Sequence, residues 1–241
     1  MYILFSPSEG KNSGGCGKKL SHLLFGLDKR TDILNAYNSI MERGDTELLQ
    51  QLFGIKKSTD YAPYVQNLFK ADCMAAIERY SGVAYDYLDY TSLNERSRGY
   101  LQEHTVIFSN LFGPIMGGDS IPNYKVKQGN SIEDIAPDKF YKEHFSRDLD
   151  LLLQKHDILD LRAGYYDKFY KIPYPYTTLK FIKEGKVVSH WAKAYRGIVL
   201  RRAALHQIGS IEDLMKLEID GLMVNEIKKM KMKTEIVFEI K

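Results

Sequence analysis

A chain of 241 residues with 44% hydrophobic and 27% charged residues has the make-up of a folded globular protein, not of a disordered or fibrous one. A net charge of +3 is too mild to indicate nucleic acid by itself, and two cysteines without a CxxC or Cys/His cluster argue against a zinc site. No apolar run approaches the roughly 18 residues of a membrane span, and the apolar start before Pro7 is too short for a signal peptide, so a cytoplasmic protein with free thiols is expected.

Tyr2–Phe5 reads as a short strand in a sheet interior. The turn Ser6-Pro7-Ser8-Glu9-Gly10-Lys11 follows. It is not a P-loop, but Ser6, the backbone amides and the Lys11 ammonium can hold a phosphate at a strand end. Residues 12–19 read as a glycine-rich basic loop. Helices are predicted for Thr31–Met41 and for Asp45–Phe53, capped by Asp45 or Thr46, and again for Thr59–Lys70 despite Pro63. The turn between the last two, with Gly54, Lys56 and Lys57, resembles a helix–hairpin–helix, in which backbone amides and cations grip DNA phosphates. Its match is partial, because Lys56 stands where the usual hairpin has a second glycine. An ordinary helix–helix connection is the alternative.

Ala71–Tyr80 reads as helix and leads into a group of tyrosines, Tyr80, Tyr85, Tyr87 and Tyr90, suited to packing or to base stacking. A polar helix, Asn94–Glu103, precedes the buried strand Thr105–Phe108. That strand runs into a glycine-rich loop, Asn110–Asp119, followed by Tyr124. Val126–Gly129 reads as a strand, Pro137–Lys155 as a helix and Asp157–Leu161 as a strand. Thr177–Ile182 and Lys186–Ala192 form a hairpin turning at Glu184-Gly185. The helix Ala192–His206 then puts Lys193, Arg196, Gly197, Leu200 and Ala204 on one face. Two cations on a mostly apolar helix need either internal carboxylates or an anion in a cleft. Gly197 costs about 1 kcal/mol against alanine, which makes sense where something approaches the backbone closely. A short helix from Ser210 and closing strands at Leu222–Val224 and Thr234–Ile240 complete the chain. The expected fold is a mixed α/β single domain over residues 1–241, a mixed β-sheet flanked by helices with a basic cleft, and a helical segment inserted at about 30–72.

Several of these stretches, taken in order, resemble the YaaA family of bacterial peroxide-stress proteins. They are Ile3–Pro7 with Lys11, Tyr80–Tyr85, Leu111–Pro114, Asp119 with Tyr124, Asp160–Tyr166 and Ala192–Gly197. The resemblance implies a cytoplasmic protein that limits oxidative damage to DNA and protein. It also implies double-stranded DNA binding through a basic cleft and a helix–hairpin–helix, with no cofactor, metal, membrane or obligate protein partner. The DNA- or phosphate-binding set it suggests is Ser6, Lys11, Gly54, Lys56, Lys57, Tyr124, Lys193, Arg196 and Gly197. Two departures bear on that set. The family often has an arginine where this chain has Met116, and some members place the lysine directly after Ser-Pro-Ala.

Function then divides three ways. A non-catalytic DNA-binding protein, acting by DNA coverage or by lowering free iron, would show a log affinity against log salt slope of roughly −3 to −5. An enzyme of lyase or glycosylase type would use Lys193 as a nucleophile of lowered pKa, assisted by Asp119 or Asp160. A nucleotide sensor would hold phosphate in the glycine-rich loops. Cys16, beside Lys18 and Lys19, is the better candidate for a peroxide-sensing thiol, against an inert loop cysteine.

Overall fold

The computed structural model describes the backbone of residues 1–241; the side chains of Ser189 and His190 lie outside what is described. Short, mostly apolar runs lie at the centre of the sheet. Strands β1 (Tyr2–Phe5), β3 (Thr105–Ser109) and β6 (Ile158–Asp160) are almost wholly buried, as expected for parallel strands covered on both faces. With β7 (Tyr176–Lys183) and β10 (Lys233–Ile240) they form a parallel array in the order β3-β1-β6-β7-β10. Antiparallel strands close the edges: β4 (Gly113–Met116) beside β3, and β9 (Leu222–Lys229) beside β10. The two-residue β8 (Lys186–Val187) adds to the end of β7. A separate ribbon pairs β2 (Cys73–Ala75) with β5 (Ser120–Pro122).

The helices are α1 (Thr31–Arg43), α2 (Thr46–Phe53), α3 (Ser58–Tyr61), α4 (Ala76–Arg79), α5 (Val83–Leu88), α6 (Glu95–His104), α7 (Pro137–Leu153), α8 (Ser189–Leu205) and α9 (Ile211–Met215). Their starts follow capping chemistry. The Asp45 carboxylate accepts from the Glu47 and Leu48 amides at 2.9 and 3.1 Å, and Asn94 and Ser210 cap α6 and α9. The long α8 packs on β7, α5 and α6, while α7 lies against β4. Apolar residues of the 30–72 segment, including Leu34, Tyr37, Leu49 and Phe53, join the same buried cluster as the sheet.

Two buried arginines tie glycine-rich loops to this frame. Arg30 donates to the carbonyls of Phe112 and Pro114, each at 2.7 Å, and to that of Gly26. Arg79 donates to Asn12 O at 2.6 Å and Gly14 O at 2.9 Å, with Asp72 and Ile121 further out. Satisfying several carbonyls with one guanidinium makes its burial tolerable.

Five local expectations fail. The predicted helix Thr59–Lys70 stops at Tyr61 and gives way to a three-residue 3-10 turn holding Pro63, which has no amide to continue the helix. Ala71–Tyr80 is β2 followed by the single turn α4, because Cys73–Ala75 finds a ladder partner in β5. The loop Asn110–Asp119 contains β4, with the short β5 directly after it. Val126–Gly129 forms no strand; the Lys127 amide bonds instead to Leu52 O at 2.9 Å. The strand expected to run to Ala192 ends at Val187, and α8 takes Trp191 into its first turn.

Candidate functional site

In an open parallel sheet, ligand sites form beyond the carboxyl ends of strands at the point where successive strands leave in opposite directions. Here β1 has β3 on one side and β6 on the other. The chain leaving β1 and the chain leaving β6 therefore part company, and a cleft of about 380 Å³ opens between them. Its floor is Phe5–Glu9 from β1 and Leu161, Ala163 and Tyr166 from β6; its walls are Gly82–Tyr85 at the start of α5, Gln128, and Lys193 and Arg196 on α8.

Ser6 holds the two floor loops together. Its hydroxyl accepts from the Ala163 amide at 2.7 Å, and its carbonyl accepts from the Tyr85 hydroxyl at 2.8 Å. Accepting from Ala163 uses one of the two lone pairs, and the Ser6 hydroxyl keeps its proton to donate. Burial pushes the Tyr85 and Tyr166 phenols up from their ordinary value, so both are neutral donors at physiological pH.

Arg196 is half-buried on the wall and makes no hydrogen bond or ion pair to any described residue. Burial lowers its guanidinium below the ordinary arginine value, and the negative charge of Asp160 works against that shift. Asp160 itself is committed to a buried fork with Arg162, Nε to Oδ1 at 2.8 Å and Nη2 to Oδ2 at 2.9 Å. It therefore supplies a distant field, not a contact. Lys193, one turn before Arg196, is exposed at the mouth and likewise meets no described partner. The apolar setting expected around Lys193 is absent.

A second lysine, Lys11, is enclosed by the loop itself. Lys11 passes behind the loop, its Nζ 4.1 Å from the Tyr124 ring centre and 5.3 Å from that of Tyr80. Nζ donates to the carbonyls of Ser8 at 3.2 Å and Glu9 at 3.3 Å. Burial is the main cause and neighbouring Lys125 the next; together they bring it from 10.5 down to about 7. Tyr124 is fully buried, its hydroxyl 2.7 Å from those of Tyr80 and Ser109. Neither Lys11 nor Tyr124 lines the cleft; they support its loop from behind.

Gly197 is packed by another helix. A Cβ there would lie 1.9 Å from Ala84 O, because α5 crosses the α8 backbone at that point. The close approach expected at this glycine is real, but helix α5 makes it. Asp119 also stands apart from the cleft. Its carboxylate accepts from the Leu24 and Met116 amides at 2.8 and 2.9 Å, so it is not placed to assist Lys193.

Gly54 ends α2 in the left-handed region, φ 65°, and its amide bonds back to Gln50 O at 2.8 Å. Lys56 and Lys57 follow, exposed, before the four-residue α3. This turn is linked to the cleft by the segment 125–130. The Lys127 amide and the Asn130 side chain bond to Leu52 O and Gln51 O, and Gly54 packs against the Lys127 stem. On the other side Lys125 pairs with Glu9 at 3.2 Å, and Gln128 lines the cleft.

Of the residues read from sequence, the structure brings Ser6, Lys193 and Arg196 into one cleft. Tyr85, Tyr166, Ala163 and Gln128 complete it. Tyr85 and Tyr166 lay within motifs already singled out; Gln128 carries no local signal. Among the described residues no group of three or more His, Cys, Asp or Glu is placed to hold a metal, and no helix is long and apolar enough to cross a membrane.

Fold and cleft together define a mixed α/β protein with a crevice at the carboxyl ends of its parallel strands, lined mostly by apolar groups and carrying Lys193 and Arg196 on one wall. The chain belongs to the family of the peroxide stress protein YaaA, whose model matches residues 1–228. It is similar to a Campylobacter jejuni protein described as uncharacterised, 43% identical over 100% of this chain and 99% of that one. Similar too are UPF0246 proteins of Corynebacterium glutamicum, 32% identical over 94% and 95% of the two chains, and of Fusobacterium nucleatum, 27% identical over 94% of each.

Proposed function

We propose that the protein answers peroxide stress in the cytoplasm by binding double-stranded DNA along the cleft and its rim, and so limits oxidative damage to DNA and protein. The observation that carries this reading is the pair Lys193 and Arg196, held one turn apart on α8 with no described partner. A part-buried guanidinium without a counter-charge costs stability until an anion arrives. A phosphate diester fits the guanidinium fork. The Ser6 hydroxyl adds a neutral donor on the cleft floor. The segment 125–130 continues this surface to the exposed Lys56 and Lys57. Phosphate contacts of this kind position a protein on duplex without reading its sequence.

Binding of a short duplex at several salt concentrations tests the reading. Each lost phosphate contact removes about 0.9 from the salt slope, so Lys193→Ala/Arg196→Ala is expected to make it shallower by about two. Unchanged binding in that variant refutes the cleft. Lowering of free iron is the other route to the same protection. Free iron measured in cells carrying the parent or the double variant separates it from DNA coverage.

A further inference from the structure

The last two strands carry a charged feature that the cleft does not use. From Lys228 to Lys233 the chain reads Lys-Lys-Met-Lys-Met-Lys, four cations in six residues with no acid among them. These residues are the end of β9, the turn and the start of β10, closed by the Met230 amide on Lys233 O at 2.8 Å. β9 is a sheet edge, and every residue from Met223 to Met232 is exposed. Along the eight residues of β9 this ribbon extends about 26 Å at roughly 3.3 Å per residue.

The register distributes charge over both faces. Lys229 stands opposite Thr234 and Lys228 opposite Glu235, and successive residues of a strand point to opposite sides. Lys228 is offset by Glu226 at 3.1 Å and Lys233 by Glu235 at 3.5 Å. Lys229, on one face, and Lys231, in the turn, have no described partner. Met230 and Met232, on either side of Lys231 in the chain, are 48% and 36% exposed. An element that lies on a lipid surface separates a cationic face from an apolar one. This tip instead interleaves the two along the chain, Lys229-Met230-Lys231-Met232-Lys233, with Lys228 and Lys229 on opposite sides of the strand. A groove in duplex DNA presents that pattern in reverse, two phosphate walls with base edges between them, and the major groove is wide enough for a two-stranded ribbon.

We propose that the β9–β10 tip is a second DNA-contacting element, a ribbon that enters a duplex groove with Lys229 and Lys231 on the phosphates and the methionines toward the bases. It rests on the reading of the protein as a duplex-binding one, but on different residues. The tip lies at the amino end of β10, where Met232 O accepts from the Tyr176 amide at the start of β7, whereas the cleft opens from the carboxyl ends of β1 and β6. The family match ends at Lys228, so the tip lies beyond the matched residues.

The test uses the full chain and one duplex, titrated at 50 to 200 mM salt, with three variants: Lys229→Ala/Lys231→Ala, Lys229→Arg/Lys231→Arg and Lys193→Ala/Arg196→Ala. If both lysines reach phosphates, the alanine variant loses about 1.8 from the salt slope, so the parent's affinity falls about 12-fold more than the variant's across that range. The arginine variant keeps the parent's slope. Slopes that drop for the tip variant and not for the cleft variant uphold the ribbon and refute the cleft. Slopes that drop only for the cleft variant refute the ribbon and uphold the cleft. A parent that binds no duplex refutes both. Unchanged duplex binding, with lost binding to vesicles containing phosphatidylserine, overturns the ribbon in favour of a lipid surface.

Discussion

Replacing Gly197 with alanine sets two effects of opposite sign against each other. In a helix interior, alanine is favoured over glycine by about 1 kcal/mol, so propensity alone makes Gly197→Ala stabilising. The packing says otherwise. The new Cβ would sit 1.9 Å from Ala84 O, 2.9 Å from Ala84 C and 3.1 Å from Leu88 N, all backbone atoms of α5 that no rotamer change can move. Bringing the first of these to an ordinary 3.4 Å contact requires α5 and α8 to part by about 1.5 Å. Overpacking of this kind costs typically 1–3 kcal/mol, and here it falls on backbone, toward the upper end. The net expectation is a loss of about 2 kcal/mol, or about 4–8 °C in Tm for a chain of this size. Urea and thermal unfolding of parent and variant, followed by circular dichroism, measure it. A variant as stable as the parent, or more stable, would refute the interlocked-helix reasoning. The same displacement moves Arg196 and Gly82–Ala84, which line the cleft, so duplex binding should weaken along with stability.

Arg30→Met removes donors from the buried carbonyls of Phe112 and Pro114 and the part-buried one of Gly26; a loss of about 3 kcal/mol is expected by urea unfolding. Lys11 gives a pH signature. Its folded value of about 7 lies below the unfolded 10.5, so between these pH values the unfolded chain binds more protons and this group's contribution to stability rises with pH. The burial penalty is fully present below about pH 7 and gone above about 10.5. Lys11→Met should therefore flatten the rise in urea midpoint between pH 7 and 10, and a parallel pair of curves would count against it. Cys16 is exposed, while Cys73 is buried with its thiol pushed up to about 11. Iodoacetamide on the native protein should label Cys16 and spare Cys73 until the chain unfolds, as read by peptide mass.

Periodicity and apolar runs were enough to place β1, β3, β6, α1, α2, α6 and α7 within a few residues, because these elements obey local rules. The failures have several causes. β2 and β5 are three residues long and exist only through each other, with Cys73 opposite Pro122. β4 folds back on β3 as a hairpin, and its Gly113 and Pro114 give it no strand signal of its own. The cleft was legible in its cations and in Ser6. What sequence could not supply was direction. Lys11 and Arg196 both read as anion-binding cations, yet one turns behind the loop over Tyr124 and the other lines the cleft. Gly197 was noticed for the right physical reason, and only the fold shows that a helix fills the gap.

Under the function proposed above, the two buried arginines bear on how the fold withstands hydrogen peroxide. Small folds often staple loops with disulfides or metal ions, both of which respond to the redox state of their surroundings. Here the loops at 12–15, 26 and 112–114 are stapled by guanidinium groups on backbone carbonyls. Neither partner is on the oxidation ladder that thiols and thioethers climb. Oxidant would first reach the exposed sulfurs of Cys16, Met223, Met230 and Met232, all outside these ties. The scaffold would keep its shape under oxidising conditions.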